Sequence, residues 1–490
     1  MMAFANSTSH ISSSQHINRF GHPTRQVMAV LRKFVLPPIL VLGLLLASSR
    51  PAGAYSVLTH EEIVDLTWQD SIQPLLLNRF PQLTPLQLQE AHAYAYGGCV
   101  IQDLGYYPFG KPIFSDLLHY VRTGDFIRAL FRDSKDANDV AFAIGALSHY
   151  LGDTIGHPEA INIAVGKEFP KLAEKYGSNV NYAEGPHEHV RAEFAFDVND
   201  IAKHRLAPER YLNRIGFAVP VPLLARAFYD TYGLDLGKLL GHSHPKLRGY
   251  RFSVRSLLPR VAYAENMLQG KHMPQDIPSP ELDAFNREIA LLAAANHWDN
   301  YKHHGPRIGT HVLAGLIFII PKYGVLSDLS LRPPKPSAEQ DYVSSLMHTV
   351  TVMRKTLANA TRSDGLPNLD LDTGREIAPG TYSLADLTYV DLLHRVTSDP
   401  SQPVPFGIKR DLTAYFADLD RVKYIQSDRS RLAQVQADLP ILRGISTRAA
   451  YPDTAFLPQP DSDKPPEAKG QPTSNAPEPP SSPANTKSPQ

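Results

Sequence analysis

The segment from Asp136 to Asp153 has the pattern of an α-helix, and two polar residues near its end, His149 and Asp153, lie four positions apart. Its apolar residues recur three or four positions apart: Val140, Ala141, Ile144, Leu147 and Leu151. His149 and Asp153 lie four residues apart, which places them on one face of a helix, about 6 Å apart along its axis. They can therefore share one metal ion, although polar residues at this spacing more often form a solvated face.

The same face continues to His157, which is followed by Pro158. On a helix His157 would lie about 12 Å from His149, too far to share an ion with it, because Zn–N bonds are only about 2.0–2.1 Å long. A proline disfavours helical geometry in the residue before it, so we expect the helix to end at His157. The simplest arrangement places Asp153 between two metal ions, with one histidine serving each.

A second pair with the same spacing follows at His189 and Glu193. Two H-x-x-x-D/E steps so close together are much rarer by chance than one, and together they favour metal binding. His187 points to another side of such a helix and is interpreted as a surface histidine. Asp197 continues the face of the pair and is a candidate for orienting a ligand histidine through its free N–H.

The rest of the chain is also patterned mainly as helices. Between Thr59 and about Asp200 a further helix is predicted from Ser115, as its N-cap, to about Arg132. From 201 to 450 prolines interrupt the helical pattern, so helices joined by irregular loops are expected. Residues 451–490 are rich in Pro, Ser and charged residues and are predicted to be a disordered tail.

The N-terminus has the layout of a secretory signal peptide. Arg32 and Lys33 precede an apolar run over 34–47, and Ala52-Gly53-Ala54 offers small residues for cleavage. The run is shorter than the about 20 residues that span a bilayer. We therefore expect residues 1–54 to be removed by cleavage near Ala54 (Met28 is an alternative start) and the protein to be periplasmic or extracellular.

Cleavage there would leave Tyr55 as the first residue. A free α-amine and its own carbonyl oxygen can chelate a metal ion, and His60 is close enough in sequence to join them. The single cysteine, Cys99, excludes an intramolecular disulfide and a Cys-based metal or redox motif. Lys plus Arg equals Asp plus Glu at 49 each, so net charge gives no reason to expect nucleic acid or an anionic membrane as the main partner.

This set of motifs resembles the zinc-dependent phospholipase C family, which is related to the fungal-type single-strand-specific zinc nucleases and to glycosylphosphatidylinositol-specific phospholipase D. In those proteins the mature N-terminal residue, usually Trp, binds zinc through its backbone. A histidine follows, and H-x-x-x-D/E helices supply further ligands. The resemblance covers roughly residues 55–200. It implies a mainly α fold: a phospholipase C/zinc nuclease-like catalytic core over 55–200, and a helical, loop-rich C-terminal extension of unknown role that packs on it.

The resemblance also implies a ligand set for two or three zinc ions. Nine residues match the family's metal-binding positions: Tyr55, His60, Asp103, His119, His149, Asp153, His157, His189 and Glu193. One ion would take Asp103, His119, His149 and Asp153. A second would take the backbone of Tyr55 with His60 and Asp153, and a third would take His157, His189 and Glu193. Asp103 matches a loop aspartate proposed as general base in the family, so it is the candidate catalytic residue.

The implied function is hydrolysis of a phospholipid headgroup ester by a zinc-activated water. The alternatives are a single-strand nuclease or nucleotidase on the same scaffold, and a non-catalytic zinc-binding module. Glu193 favours the phospholipase branch, because the nuclease branch typically has Asp there, and nucleases usually carry several disulfides. Nucleic acid is expected as a partner only under the nuclease alternative.

Two apolar or aromatic segments bear on the substrate. Tyr106, Tyr107 and Phe109 could stack on bases, contact a lipid headgroup or simply pack. The apolar stretch 312–320 is too short to span a membrane and is interpreted as a core segment, with a lipid-docking surface as the alternative. A phospholipid or other phosphodiester, with transient contact to a membrane surface, is therefore the expected partner.

Overall fold

The structure is a computed structural model, and it describes residues 56–106, 110–241, 258–269, 273–302, 310, 314, 332–359 and 365–448. The predicted signal peptide, Tyr55 and the predicted tail lie outside these residues. So do Tyr107, Phe109 and, apart from Ala314, the apolar stretch 312–320. Among the described helices, none is both long and apolar enough to cross a membrane.

Helices dominate the first part of the described chain. They are α1 (Val57–Thr67), α2 (Gln73–Arg79), α3 (Pro85–Gly98), α4 (Pro112–Tyr120), α5 (Thr123–Asp133), α6 (Ala137–Gly156), α7 (Asn162–Glu168), α8 (Pro170–Tyr176), α9 (Pro186–Ala202), α10 (Glu209–Ile215), α11 (Val221–Tyr232) and α12 (Leu236–Leu240). A 3₁₀ turn at Gln102–Gly105 and π-helical turns at Trp68–Ile72 and His157–Ile161 complete this part.

The later part is helical as well. It contains α13 (Leu258–Gln269), α14 (Pro280–Ala295), α15 (Asp299–Lys302), α16 (Pro336–Ala358), α17 (Ser383–Thr397), α18 (Phe406–Tyr415) and α19 (Arg429–Gly444), with 3₁₀ turns at Leu419–Arg421 and Lys423–Ile425. The described strands are a parallel pair of two residues each, β1 (Val404–Pro405) and β2 (Thr447–Arg448). The predicted mainly α fold is confirmed.

Helix α6 lies at the centre of the first part because it is apolar on nearly all sides. Its main neighbour is α3, and glycines allow the two backbones to come close. A Cβ built on Gly145 would lie 2.0 Å from the carbonyl oxygen of Ala95, and one on Gly98 would lie 2.0 Å from that of Phe142. No side chain larger than hydrogen fits at this crossing, so α6 is held at a fixed position in the core.

The helix predicted from Ser115 to about Arg132 is in fact two helices, α4 and α5. The break is at Arg122, which has a left-handed backbone with φ of 49°. Its guanidinium binds the carboxylate of Asp125 and the carbonyl oxygen of Thr231. These contacts hold the residue in a conformation that local helical spacing does not encode.

The start of α4 and both ends of α6 can be compared with the helix ends predicted from the sequence. Ser115 is not an N-cap: it lies inside α4, and its hydroxyl accepts the backbone N–H of Gly105 at 2.8 Å. Helix α6 starts after Asp136, whose side chain caps it. It ends at Gly156, but the chain stays helical through the π turn His157–Ile161. Pro158 lies at the start of that turn, where its missing N–H costs little.

The extension after residue 200 packs on the helices that precede it, and the described residues fall in one compact unit. Helix α16 contacts α6 and α1, and α17 contacts α4. A buried ionic network joins the end of α9 to α16: Arg205 Nη1 donates to Glu339 Oε1 at 2.8 Å, and Lys203 Nζ lies 2.6 Å from the same oxygen. The C-terminal helices therefore cover the face of the molecule that holds the predicted ligands.

Candidate metal centre

Eight of the nine predicted ligands lie in the described residues, and six different elements carry them. They are His60 on α1, Asp103 on the 3₁₀ turn, His119 on α4, His149 and Asp153 on α6, His157 on the π turn, and His189 and Glu193 on α9. None of these residues is more than 5% exposed. The fold therefore gathers eight polar residues in the interior, where each needs a partner.

Asp103, His119, His149 and Asp153 form the first group. The distance from Nε2 to Asp153 Oδ2 is 3.1 Å for His149 and 3.5 Å for His119, and His119 Nε2 lies 3.4 Å from Asp103 Oδ1. Two donor atoms bound to one zinc ion with tetrahedral geometry lie roughly 3.4 Å apart. The spacing of His119, His149 and Asp153 therefore fits one shared ion, and Asp103 lies beside this set at His119.

His60 approaches the other oxygen of Asp153. Its Nε2 lies 3.3 Å from Asp153 Oδ1, and its ring stacks on His149 with centroids 4.1 Å apart. Ligand atoms of His60, Asp103 and His149 also lie within 4.8 Å of one another. Asp153 thus presents one oxygen to His119 and His149 and the other to His60, as a carboxylate bridging two cations would. His157, the other histidine of the simplest sequence arrangement, instead groups with His189 and Glu193.

His157, His189 and Glu193 form a second, separate group, with ligand atoms within 4.8 Å of one another. His189 Nδ1 lies 3.8 Å from Glu193 Oε1. The two residues are adjacent because α9 places them one turn apart, as their spacing predicts.

Backbone carbonyls fix the orientation of three of the histidines. His119 Nδ1–H donates to Ser115 O at 2.8 Å, and His149 Nδ1–H donates to Cys99 O at 2.9 Å. His189 uses the other nitrogen, donating from Nε2 to Val180 O at 2.6 Å. A carbonyl can only accept, so the hydrogen-bonded nitrogen of each ring carries a proton, and the other nitrogen faces its group and is the one that could bind a cation.

The atoms that face one another lack hydrogen-bond partners within the described part of the chain. They are His119 Nε2, His149 Nε2, both oxygens of Asp153, Asp103 Oδ1, both nitrogens of His157, His189 Nδ1 and Glu193 Oε1. Leaving a buried polar atom unpaired costs about 1–3 kcal/mol. A cation between them would satisfy these atoms, and a set of imidazoles and carboxylates suits zinc. The residues present therefore fit the metal.

Burial and neighbouring charges set the protonation of the two groups. Burial lowers the pKa of His157 well below its usual value and that of His189 to about 4, so both rings are neutral near neutral pH. Burial, with the charges of Asp103 and Asp153, raises the pKa of Glu193 well above its usual range. Burial alone would also raise the pKa of Asp153, but the neighbouring histidines outweigh it and hold that pKa well below its usual value.

Two further sequence interpretations can be compared with the structure. His187 is exposed, as expected. Asp197 does not act on a ligand histidine through a ring N–H, as the sequence suggested. Its carboxylate accepts the backbone N–H groups of Leu58 and Thr59 and the hydroxyl of Thr59. It therefore holds the first turn of α1, and it positions His60 through that helix.

Tyr106 does not form an exposed platform for bases. It is 4% exposed, and its hydroxyl donates to Asp116 Oδ1 at 2.9 Å. The ring packs in the interior beside His119, with centroids 5.5 Å apart. Of the three interpretations of this aromatic residue, packing is the one observed.

Asp372 is a residue of the centre that the sequence did not indicate. It lies in the extension, is 1% exposed, and places Oδ1 3.5 Å from His157 Nε2. The family motifs all lie before residue 200, and no histidine four positions away marks Asp372. Its only sequence signal is a second aspartate, Asp370, two residues earlier.

Comparison with known families agrees with this centre. Residues 59–239 match the model of a family described as zinc dependent phospholipase C. The match covers less than half of the 490 residues but includes all eight described ligands, and it extends past the predicted core boundary at 200. No curated protein and no solved structure matches the chain. The family is zinc-dependent, and the buried clusters of histidine and carboxylate could hold metal ions. Residues 59–239 of this chain are thus similar to the zinc-dependent phospholipase C family.

Proposed function

We propose that the protein is an exported zinc-dependent phosphodiesterase that hydrolyses the headgroup ester of a phospholipid, as a phospholipase C does. The observation that carries this proposal is the pair of buried ligand groups, one of which includes His149 and Asp153 on α6 and the other His157 on the turn directly after it, inside the region that matches the family. Export follows from the signal-peptide pattern of residues 1–54.

The residues divide into three ligand sets under this proposal. Asp103, His119, His149 and Asp153 would hold one ion; His60 and Asp153, with the backbone amine and carbonyl of Tyr55, a second; and His157, His189 and Glu193 a third. When bound, the ions would lower the pKa of water and neutralise charge on the phosphate.

Asp103 is the proposed general base. It would accept a proton from the attacking water, the role proposed for the matching loop aspartate of the family, while its Oδ1, 3.4 Å from His119 Nε2, faces the first ligand set. The 3₁₀ turn that carries it is anchored on α6, where Gln102 Nε2 donates to Ala146 O at 2.9 Å. The fixed turn would hold the carboxylate in one position during the reaction.

A lipid substrate is favoured over nucleic acid. Tyr106, the described member of the aromatic segment, is buried and cannot stack on a base. Glu193 also matches the phospholipase form of the second pair. Substrate would reach the protein by transient contact with a membrane surface.

His149→Ala should abolish turnover, because His149 faces Asp153 in the group that would hold the first ion. The measurement is hydrolysis of para-nitrophenylphosphorylcholine and of phosphatidylcholine vesicles, with zinc content determined by elemental analysis on the same sample. His187→Ala, which changes an exposed histidine, serves as the matched control and should keep full activity. Zinc without hydrolysis of either substrate, but with digestion of single-stranded DNA, would replace the phospholipase proposal by the nuclease.

One residue left in front of Tyr55 should also reduce activity, because it removes the free amine from the proposed ligand set. The comparison is between chains that begin at Tyr55 and at Ala54, assayed for turnover and for zinc content. The chain beginning at Ala54 should bind one zinc ion more weakly. Equal turnover and equal zinc content in the two chains would exclude Tyr55 from the site.

A further inference from the structure

The segment that follows α16 forms a turn against the metal centre. Asp370 N–H donates to Arg375 O, and Gly374 N–H donates to Asp370 O, both at 2.8 Å. Gly374 has a φ of 66°, and a Cβ on it would lie 2.5 Å from Thr154 O at the end of α6. The turn, residues 370–375, thus reaches the backbone of the helix that carries His149 and Asp153.

Two further hydrogen bonds fix the turn to the elements that carry ligands. Leu371 N–H donates to His119 O at 3.1 Å, and Asn162 Nδ2 donates to the backbone oxygen of Asp372 at 3.0 Å. His119 is itself in the first group, and Asn162 directly follows the π turn of His157. The position of Asp372 is therefore set by the same elements that set the ligands.

One oxygen of the Asp372 carboxylate accepts hydrogen bonds from the protein, and the other faces the metal centre. Oδ2 accepts the hydroxyl of Tyr120 at 2.9 Å and also the hydroxyl of Tyr382. Oδ1 lies 3.5 Å from His157 Nε2. Carboxylates that bind metals are typically hydrogen-bonded in this way, with donors on the oxygen that does not bind.

The distance to His157 fits two ligands of one ion, since donor atoms on a tetrahedral zinc lie roughly 3.4 Å apart. We propose that Asp372 is a metal ligand that the C-terminal extension adds to His157, His189 and Glu193. This set then has two nitrogen and two oxygen donors from the protein. The inference rests on metal binding by that group, which is part of the proposed function.

Whether Asp372 helps to bind this ion can be tested by measuring the zinc content of variants. Wild type and Asp372→Asn are dialysed against a graded series of chelator concentrations, and zinc per chain is determined by elemental analysis. Asp372→Asn should lose one ion at chelator concentrations that leave wild type loaded, with affinity weaker by roughly 10–100-fold or more. His157→Ala should lose the same ion, and the double variant no more than either. Asp386→Asn is the matched control, because Asp386 is another buried aspartate of the extension that accepts a tyrosine hydroxyl, from Tyr415.

Asp372→Cys separates a ligand from a residue that only positions His157. In the cobalt-substituted protein, a thiolate bound to the metal gives a sulfur-to-cobalt charge-transfer band, which wild type, with Cys99 alone, should lack. The band should appear in Asp372→Cys. It shows whether residue 372 binds the metal even if Asp372→Asn fails to fold.

The outcomes separate this inference from the proposed function. Wild type without zinc would overturn both. Zinc in wild type, together with unchanged zinc affinity in Asp372→Asn or no charge-transfer band in folded Asp372→Cys, would overturn the role of Asp372 and leave the proposed function intact.

Discussion

At the scale of single residues, burial gives the ligands of the second group unusual charge states. His157 and His189 are neutral because burial lowers the pKa of each ring. Burial and the nearby charges of Asp103 and Asp153 raise the pKa of Glu193, which favours its protonated form in the metal-free protein. A carboxylate must ionise to bind a cation, so zinc competes with this proton.

Zinc binding should therefore release a proton from Glu193, and affinity at this group should rise with pH. The carboxyl is protonated below its raised pKa, so acidification through the region above the usual glutamate value weakens binding. His189 has a pKa of about 4, so above about pH 5 it is already neutral and releases no proton when zinc binds. Calorimetric titration with zinc in buffers of different ionisation enthalpy measures proton release, and Glu193→Gln should release about one proton fewer per chain than wild type. Equal release by the two proteins would show that Glu193 is already ionised.

At the scale of elements, α6 positions more of the centre than any other described helix. It carries His149 and Asp153 and leads directly into the turn of His157. Its distance from α3 is set by Gly98 and Gly145, where each helix backbone touches the other. A change in this crossing would move the ligands together with the helix.

Gly145→Ala should destabilise the protein by about 1–3 kcal/mol or more, because the added methyl group meets backbone atoms that cannot move aside. Gly145 also lies one helical turn before His149, so zinc content should fall as well. Chemical denaturation and elemental analysis measure the two effects. Gly444→Ala, near the end of α19, has no atom within 4 Å of the new Cβ and should be neutral or slightly stabilising. Equal stability of the two variants would mean that the helix crossing can adjust.

Local spacing predicted those features whose partners lie on one helix. The four-residue steps of α6 and α9 bring His149 to Asp153 and His189 to Glu193, because a helix turns once in 3.6 residues. The break at Arg122 could not be found in this way, since it depends on Thr231, 109 residues away. The role of Asp197 likewise depends on α1, which local sequence does not place beside α9.

At the scale of the whole molecule, the extension completes the interior of the family-matched region. Tyr342 on α16 shares a 3.0 Å hydrogen bond with Thr59, which is 283 residues earlier and next to His60. Asp372 and Glu339 also come from the extension and contact buried residues of the first part. Helical pattern alone predicted that helices would follow residue 201. Their contacts with the centre could not be predicted, because no periodicity links residues so far apart.

A chain that ends after residue 240 should therefore fail to fold as an independent unit, even though it contains the whole family match. Removing α16 exposes the apolar faces of α6 and α1, and it leaves Arg205 without Glu339. Exposed apolar surface and the loss of the ion pair between Arg205 and Glu339 both favour aggregation or a loosely packed state. The measurement is thermal unfolding of the shortened chain and the full chain, prepared with the same N-terminus and with zinc. The shortened chain should show no cooperative transition and retain less zinc, whereas a cooperative transition with full zinc content would make the extension dispensable for the centre.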